Sequence, residues 1–143
     1  MFKKILWATD GSEGADKALD VAKTIATENG ATLTIGHVLQ KVATSGDKAL
    51  AWHADEEIVA KKLEETASEL TQSGLTVDLK IVTHVGPSAA HVIADLAREE
   101  GSDVIVVGTR GQTVLAGLLL GSVTERLLHV APCPVLVIPP AKG

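Results

Sequence analysis

Apolar residues along this chain follow two rhythms that alternate from one end to the other. The run Ile5 to Ala8 is short, continuous and closed by the turn-forming Asp10-Gly11-Ser12, which predicts a buried strand. Ala15, Ala18, Leu19, Ala22, Ile25 and Ala26 then recur at three- and four-residue steps, and Asn29-Gly30 supplies a stop, which predicts a helix of about four turns. Leu33 to Val38 is a second strand. Val59, Leu63, Ala67 and Leu70 mark a second helix ending near Ser73-Gly74, and the polar, unpatterned residues 40 to 50 between them read as a loop. In the third strand Val77, Leu79 and Ile81 alternate with Asp78 and Lys80, a pattern with one wet face that suits a sheet edge. Gly86-Pro87 opens a third helix with Pro in its first turn, Ala89, Ile93, Leu96 and Ala97 share one face, and Gly101 ends it. Val104 to Val107 is a fully apolar fourth strand. A glycine-rich loop, a short helix from Ser122 to Val130 and a last apolar strand, Val135 to Ile138, complete the series, with Pro132, Pro134, Pro139 and Pro140 around that strand.

Strands separated by helices run parallel with right-handed crossovers. Two doubly wound orders are common for five strands, 2-1-3-4-5 and 3-2-1-4-5, and the wet third strand favours the second because it then lies at an edge. The expected fold is a single α/β domain over residues 1–143, a five-stranded parallel open sheet with helices on both faces. In that order the chain reverses direction between strands one and four. Ligands of open α/β sheets bind beyond the carboxyl ends of the strands at such a point, so Ala8, Thr9 and Asp10 stand across from Val107 and Gly108 as the first places for a site.

Composition narrows the chemistry. Hydrophobic residues make up 45% of the 143, enough for a core, while aromatic residues make up 2%, which suits small-residue helix packing on a parallel sheet. The net charge of -5 offers no broad basic field, so nucleic acid is not an expected partner, and any phosphate must be held locally. Cys133 is the single cysteine, which excludes an intramolecular disulfide and fits a reducing compartment; between two prolines it reads as a packed small residue. No apolar run reaches the length of a membrane span, and the chain reads as cytoplasmic. His37, His53, His84, His91 and His129 show no metal-ligand spacing and carry no assigned chemistry, and no metal site is expected from them.

After strand four the chain reads GTRGQTVLAGLLLGS. Gly108 and Gly111 permit a tight turn whose N–H groups approach an anion, and Gly121, Ser122, Val123 and Thr124 offer the unpaired N–H groups and positive dipole end of a helix. The hydroxyls of Ser122 and Thr124 add possible donors. Arg110 reads equally as a phosphate contact or a solvated cation. Each glycine alone would be a turn or cap residue; the joint pattern makes a phosphate cradle the better reading. Asp10, with Glu13 three residues on, can cap the first helix, hold a ligand's hydroxyls, or do both. The apolar run Val114 to Leu120 reads as packing on the fold, with a lid over the ligand as the alternative.

Gly-x2-Gly-x9-Gly-Ser after an apolar strand, together with KKILWATDGSEGADKAL, SDVIVVGTRG and APCPVLVIP, resembles the ATP-binding universal stress proteins over nearly the whole chain. That resemblance implies a doubly wound sheet of the adenine nucleotide alpha hydrolase type and an ATP site, with Mg or Mn accompanying the phosphates. It implies that Gly108, Gly111, Gly121, Ser122 and Val123 line the phosphates, that Asp10 meets the ribose hydroxyls, that the backbone of Val38 contacts adenine, and that Ala8 lies under the base or ribose. It also implies a symmetric homodimer through Val135 to Ile138, an all-apolar strand that order 3-2-1-4-5 leaves at an edge. The expected function is a nucleotide-dependent regulator in the stress response, with a protein partner that the residues do not identify. A slow ATPase or autophosphorylating phosphotransferase and a nucleotide-free partner-binding module are the alternatives. Efficient catalysis is not expected, because no Walker lysine, kinase catalytic loop or placed base is present. A dinucleotide site is disfavoured, since strand one leads into TDGSEG rather than GxGxxG.

Overall fold

Strand β1 (Lys4–Ala8) lies in the middle of the sheet and pairs in parallel on both sides. Its partner on one side is β2 (Thr32–Gln40), with Ile5 opposite Leu33 and Ala8 opposite Gly36. On the other side is β4 (Val104–Gly108), with Ile5 opposite Val104 and Trp7 opposite Val106. Strand β3 (Thr76–His84) adds outside β2 and β5 (Val135–Ile138) outside β4, so the order is β3-β2-β1-β4-β5, as the alternation in β3 predicts. The computed structural model describes the backbone of residues 1–11, 13–40, 47–84, 88–109 and 121–139; the side chains of residues 13–15, 40 and 47–55 are outside that description.

Four helices among the described residues cover the two faces. Alternation along each central strand sorts the core in two. Ile5, Trp7, Leu33, Ile35, Val104 and Val106 face α1 (Glu13–Asn29) and α2 (Asp47–Gln72), which bring Ala18, Ala22, Ala26, Leu63 and Leu70. Leu6, Ala8, Ile105 and Val107 face α3 (Ala89–Glu100) and α4 (Ser122–Val130), which bring Ala90, Ile93, Ala97 and Leu127. Three fully buried alanines at four-residue spacing let α1 lie close on the sheet. On the opposite face α3 comes so near that a Cβ at Gly36 would stand 2.9 Å from Leu6 Cδ1 and 3.0 Å from Leu96 Cδ2.

Three element boundaries differ from the sequence expectation. Helix α2 starts at Asp47, inside the segment read as loop. Ala49, Leu50 and Ala51 are strong helix formers, and their propensity carries the first turns where no apolar rhythm marks them. Strand β3 continues to His84, three residues past the alternating run, paired along its length with β2. The expected opening of α3 at Gly86-Pro87 lies outside the described residues; the described helix starts at Ala89 and is capped by Ser88, whose Oγ accepts from His91 N. The same helix ends as expected at Gly101, which takes the left-handed φ of 67° that a side chain would strain while Ser102 N–H donates to Ala97 O.

At the amino ends of β1 and β4 the Asp103 carboxylate accepts from the backbone N–H groups of Lys3 and Lys4 at 2.8 and 2.9 Å. These bonds favour the charged form and hold its pKa below the ordinary carboxylate value. Because the folded value is depressed, the stabilisation is complete above the unfolded-state pKa and disappears as pH falls through the folded one. Asp103→Asn is therefore expected to lower the melting temperature at neutral pH, with the gap to the unsubstituted protein closing as the pH is taken through the acid range, as followed by circular dichroism.

Candidate functional site

Parallel pairing in this register brings the carboxyl ends of β2, β1 and β4 to one edge, and the residues that leave them form the candidate site. The chain leaves β1 at Ala8, which is buried in the core facing α3 and α4. Thr9 follows, also buried, and builds the turn: its N–H donates to Gly36 O at 2.9 Å and its Oγ1 accepts from Gly11 N–H at 3.0 Å. Gly11 has φ 84°, and a Cβ there would meet Val59 Cγ1 of α2 at 2.9 Å. Both the dihedral and the space therefore require glycine. Asp10 lies between these two, half-buried, at the crest of the turn. Helix α1 begins at Glu13, three residues after Asp10, with the Gly11 turn between them.

On the other side of the switch point, β4 ends at Gly108. Thr109 N–H donates to Ile138 O at 3.0 Å, and Gly121 N–H donates to Thr109 O at 2.7 Å. These two bonds set the start of α4 directly at the end of β4. Arg110, Gly111 and the apolar run Val114–Leu120 fall outside the described residues. Gly121 occupies the cap position with φ -71° and ψ 159°, and no side chain caps the helix there. The first intrahelical bond is Glu125 N–H to Gly121 O, so by helix geometry the N–H groups of Ser122, Val123 and Thr124 have no intrahelical acceptor. Ser122 and Val123 are both exposed, and Ser122 brings a hydroxyl to this end.

Thr124 differs from the expectation that its hydroxyl is a donor for phosphate. Its Oγ1 donates to Gly108 O at 2.9 Å and the residue is buried. The hydroxyl proton is committed to tying α4 to β4, and Ser122 remains as the hydroxyl at the helix end. Val38, half-buried against the α3-facing core, lies on the third strand of the edge. Since Gly36 directs its carbonyl to Thr9, the backbone of Val38, two residues on in the same strand, points the same way, past the end of β1.

Two contributors carry no motif. Thr109 acts only through its backbone, which no residue type announces. His37 is 3% exposed; its Nδ1 lies 2.8 Å from Thr9 O and its Nε2 3.1 Å from Glu56 Oε2 on α2. A signal for it is present in the pattern: Leu33, Ile35 and His37 occupy one face of β2, so a histidine stands where the rhythm calls for an apolar residue.

The family model for the universal stress protein family matches residues 1–139. The chain belongs to that family. Among curated universal stress proteins, YxiE of Bacillus subtilis is 35% identical, the match covering 96% of this chain and 99% of that protein. Among solved structures, that of MJ0577 of Methanocaldococcus jannaschii superposes with a TM-score of 0.75 at 32% identity, covering 100% of this chain and 99% of that one. A universal stress protein solved in complex with cAMP superposes with a TM-score of 0.67 at 27% identity, covering 96% of this chain and 97% of that one. For this universal stress protein the decisive local tie is Thr124. Thr124→Val is expected to lose about 1–3 kcal/mol of stability in denaturant unfolding, because it leaves the Gly108 carbonyl without its donor, and Thr124→Ser is expected to recover most of it.

Proposed function

We propose that this protein binds an adenine nucleotide, ATP in the first instance, and acts as a nucleotide-dependent regulator whose bound state is read by a protein partner. The single observation that supports this most is the start of α4: a helix end with a glycine at its cap, no side-chain cap, and N–H groups with no intrahelical acceptor among the described residues, next to the end of β4. Helix N-termini of this kind attract anions through the N–H groups and the dipole, a contribution of roughly 0.3–1 kcal/mol for an exposed charge. Gly121, Ser122 and Val123 hold phosphate in this reading, with Gly108 at the strand end and Arg110 and Gly111 from the segment outside the described residues.

Asp10 accepts from the ribose hydroxyls across the switch point, and the Val38 backbone meets the adenine edge. Ala8, Thr9, Val107 and Thr124 shape the floor. That a family member was solved with cAMP supports adenine, and it also makes cyclic nucleotide a ligand to be compared with ATP. Mg or Mn accompanies the phosphates, supplying charge neutralisation that the acidic chain lacks. The commitment of the Thr124 hydroxyl to Gly108 favours binding over phosphoryl transfer to that residue. No helix among the described residues is long and apolar enough to cross a membrane, and the cytoplasm is the proposed location.

The second part of the proposal is a homodimer through β5. This strand is at the sheet edge, and Leu136 on it is 37% exposed while Val137 packs inward. Antiparallel or parallel addition of a second β5 would cover that edge. Leu136→Lys is expected to shift the mass in sedimentation from dimer to monomer with the circular dichroism unchanged; an unchanged dimer would place the contact elsewhere.

Gly121→Asp tests the site. Aspartate is a favoured cap residue, so it supplies its own carboxylate to the helix end and excludes a second anion. The expected result is stability equal to or a few tenths of a kcal/mol above that of the unsubstituted protein, with loss of MgATP, MgAMP and cAMP binding in calorimetric titration. Undiminished affinity in a folded Gly121→Asp protein would remove α4 from the site, and hydrolysis measured alongside decides whether bound ATP turns over.

A further inference from the structure

We propose that His37 is a positioning residue for the ribose-binding turn and that it makes the seating of α2 part of the nucleotide site. The inference rests on the nucleotide reading above and assigns His37 and Glu56 a role in it. His37 is buried between two acceptors. A backbone carbonyl only accepts, so the Thr9 O at 2.8 Å fixes a proton on Nδ1. Nε2 faces Glu56 Oε2 at 3.1 Å. The ring therefore holds the Thr9 carbonyl from below and is itself held from α2.

Thr9 is the residue immediately before Asp10, and its peptide carbonyl is the last fixed point before the crest of the turn. A second, independent contact comes from the same helix: Val59, one turn after Glu56, fills the space over Gly11, where even a Cβ would come within 2.9 Å of Cγ1. Helix α2 thus touches the turn on both sides of Asp10, through His37 to Thr9 and through Val59 to Gly11. Neither contact reaches the phosphate side, where α4 is set through its own Thr124 and through Gly108 and Thr109 at the end of β4. The turn carries the contact to the ribose hydroxyls, so loss of the His37 tie weakens recognition of ribose and leaves phosphate recognition intact.

The test separates those two parts of the ligand by using MgATP and its 2′,3′-dideoxy analogue. Asparagine places an amide N–H near the position of Nδ1 and can still donate to Thr9 O; glutamine reaches toward Glu56 and cannot do so from the same place. His37→Gln is expected to weaken MgATP binding about ten-fold, the worth of a buried hydrogen bond to a positioning group. It is expected to change binding of the dideoxy analogue little, and His37→Asn is expected to recover most of the MgATP affinity. Equal loss for both nucleotides, no loss, or no difference between Asn and Gln would overturn the inference. If the buried substitution does not fold, Glu56→Ala, at a partly exposed position, is read by the same pair of nucleotides, with a smaller loss confined to MgATP expected and an equal or absent loss overturning it. Failure of the unsubstituted protein to bind either nucleotide would overturn the nucleotide reading and this inference with it, which distinguishes that result from normal binding with an insensitive His37.

Discussion

Everything at the candidate site follows from β1 being hydrogen-bonded in parallel on both sides. Because β2 and β4 run in the same direction as β1 and in near register with it, three chains leave the sheet at one edge within a few residues of each other. The strand order then sends the chain from β1 toward one face and from β4 toward the other, which opens a crevice between the two departures. The interior of β1 explains why that register is firm. Ile5, Leu6 and Trp7 are all essentially without solvent contact, split between the two cores, so a slip of one residue would exchange the faces of every central side chain.

Each wall of the crevice is then held by a small number of polar bonds that have no part in the core. On the β4 side the Thr109 backbone and the Thr124 hydroxyl set a helix end without a side-chain cap against the end of β4. On the β1 side Thr9 and Gly11 set the turn under Asp10, and His37 ties it to α2. The division is physically sensible. Backbone N–H groups suit a phosphate, which spreads its charge over several oxygens, while a carboxylate suits paired hydroxyls. Universal stress protein architecture in this chain is thus a rigid sheet with two separately braced contacts above its edge.

Much of this was legible in the residues. Strong alternation in Val77 to Ile81 was enough to choose between two strand orders, because a wet face is incompatible with the middle of a two-layer sandwich of helices. Gly108 and Gly121-Ser122 pointed to the helix end that the structure places after β4. The start of α2 was not legible, since Asp47 to Ala51 carry helix propensity without an apolar stripe. The left-handed φ of Gly11 beside Asp10 is a matter of close approach to Val59, which spacing along the chain does not reveal. Thr124 looked like a ligand donor because a hydroxyl's partner depends on which strand end lies beneath it. Metal-ligand spacing says nothing of His37, whose partners are a backbone carbonyl and a carboxylate nineteen residues further along, brought close only by the fold.

The most direct test of the central claim, that one nucleotide spans the two walls, is hydrogen–deuterium exchange of the backbone amides with and without saturating MgATP. Slowed exchange in two separate stretches, the turn around Asp10 and Gly11 and the helix start at Ser122 to Thr124, with the β5 edge unchanged, is the expected result. Slowing at only one of the two, or at neither, would contradict a ligand held across the switch point between β1 and β4.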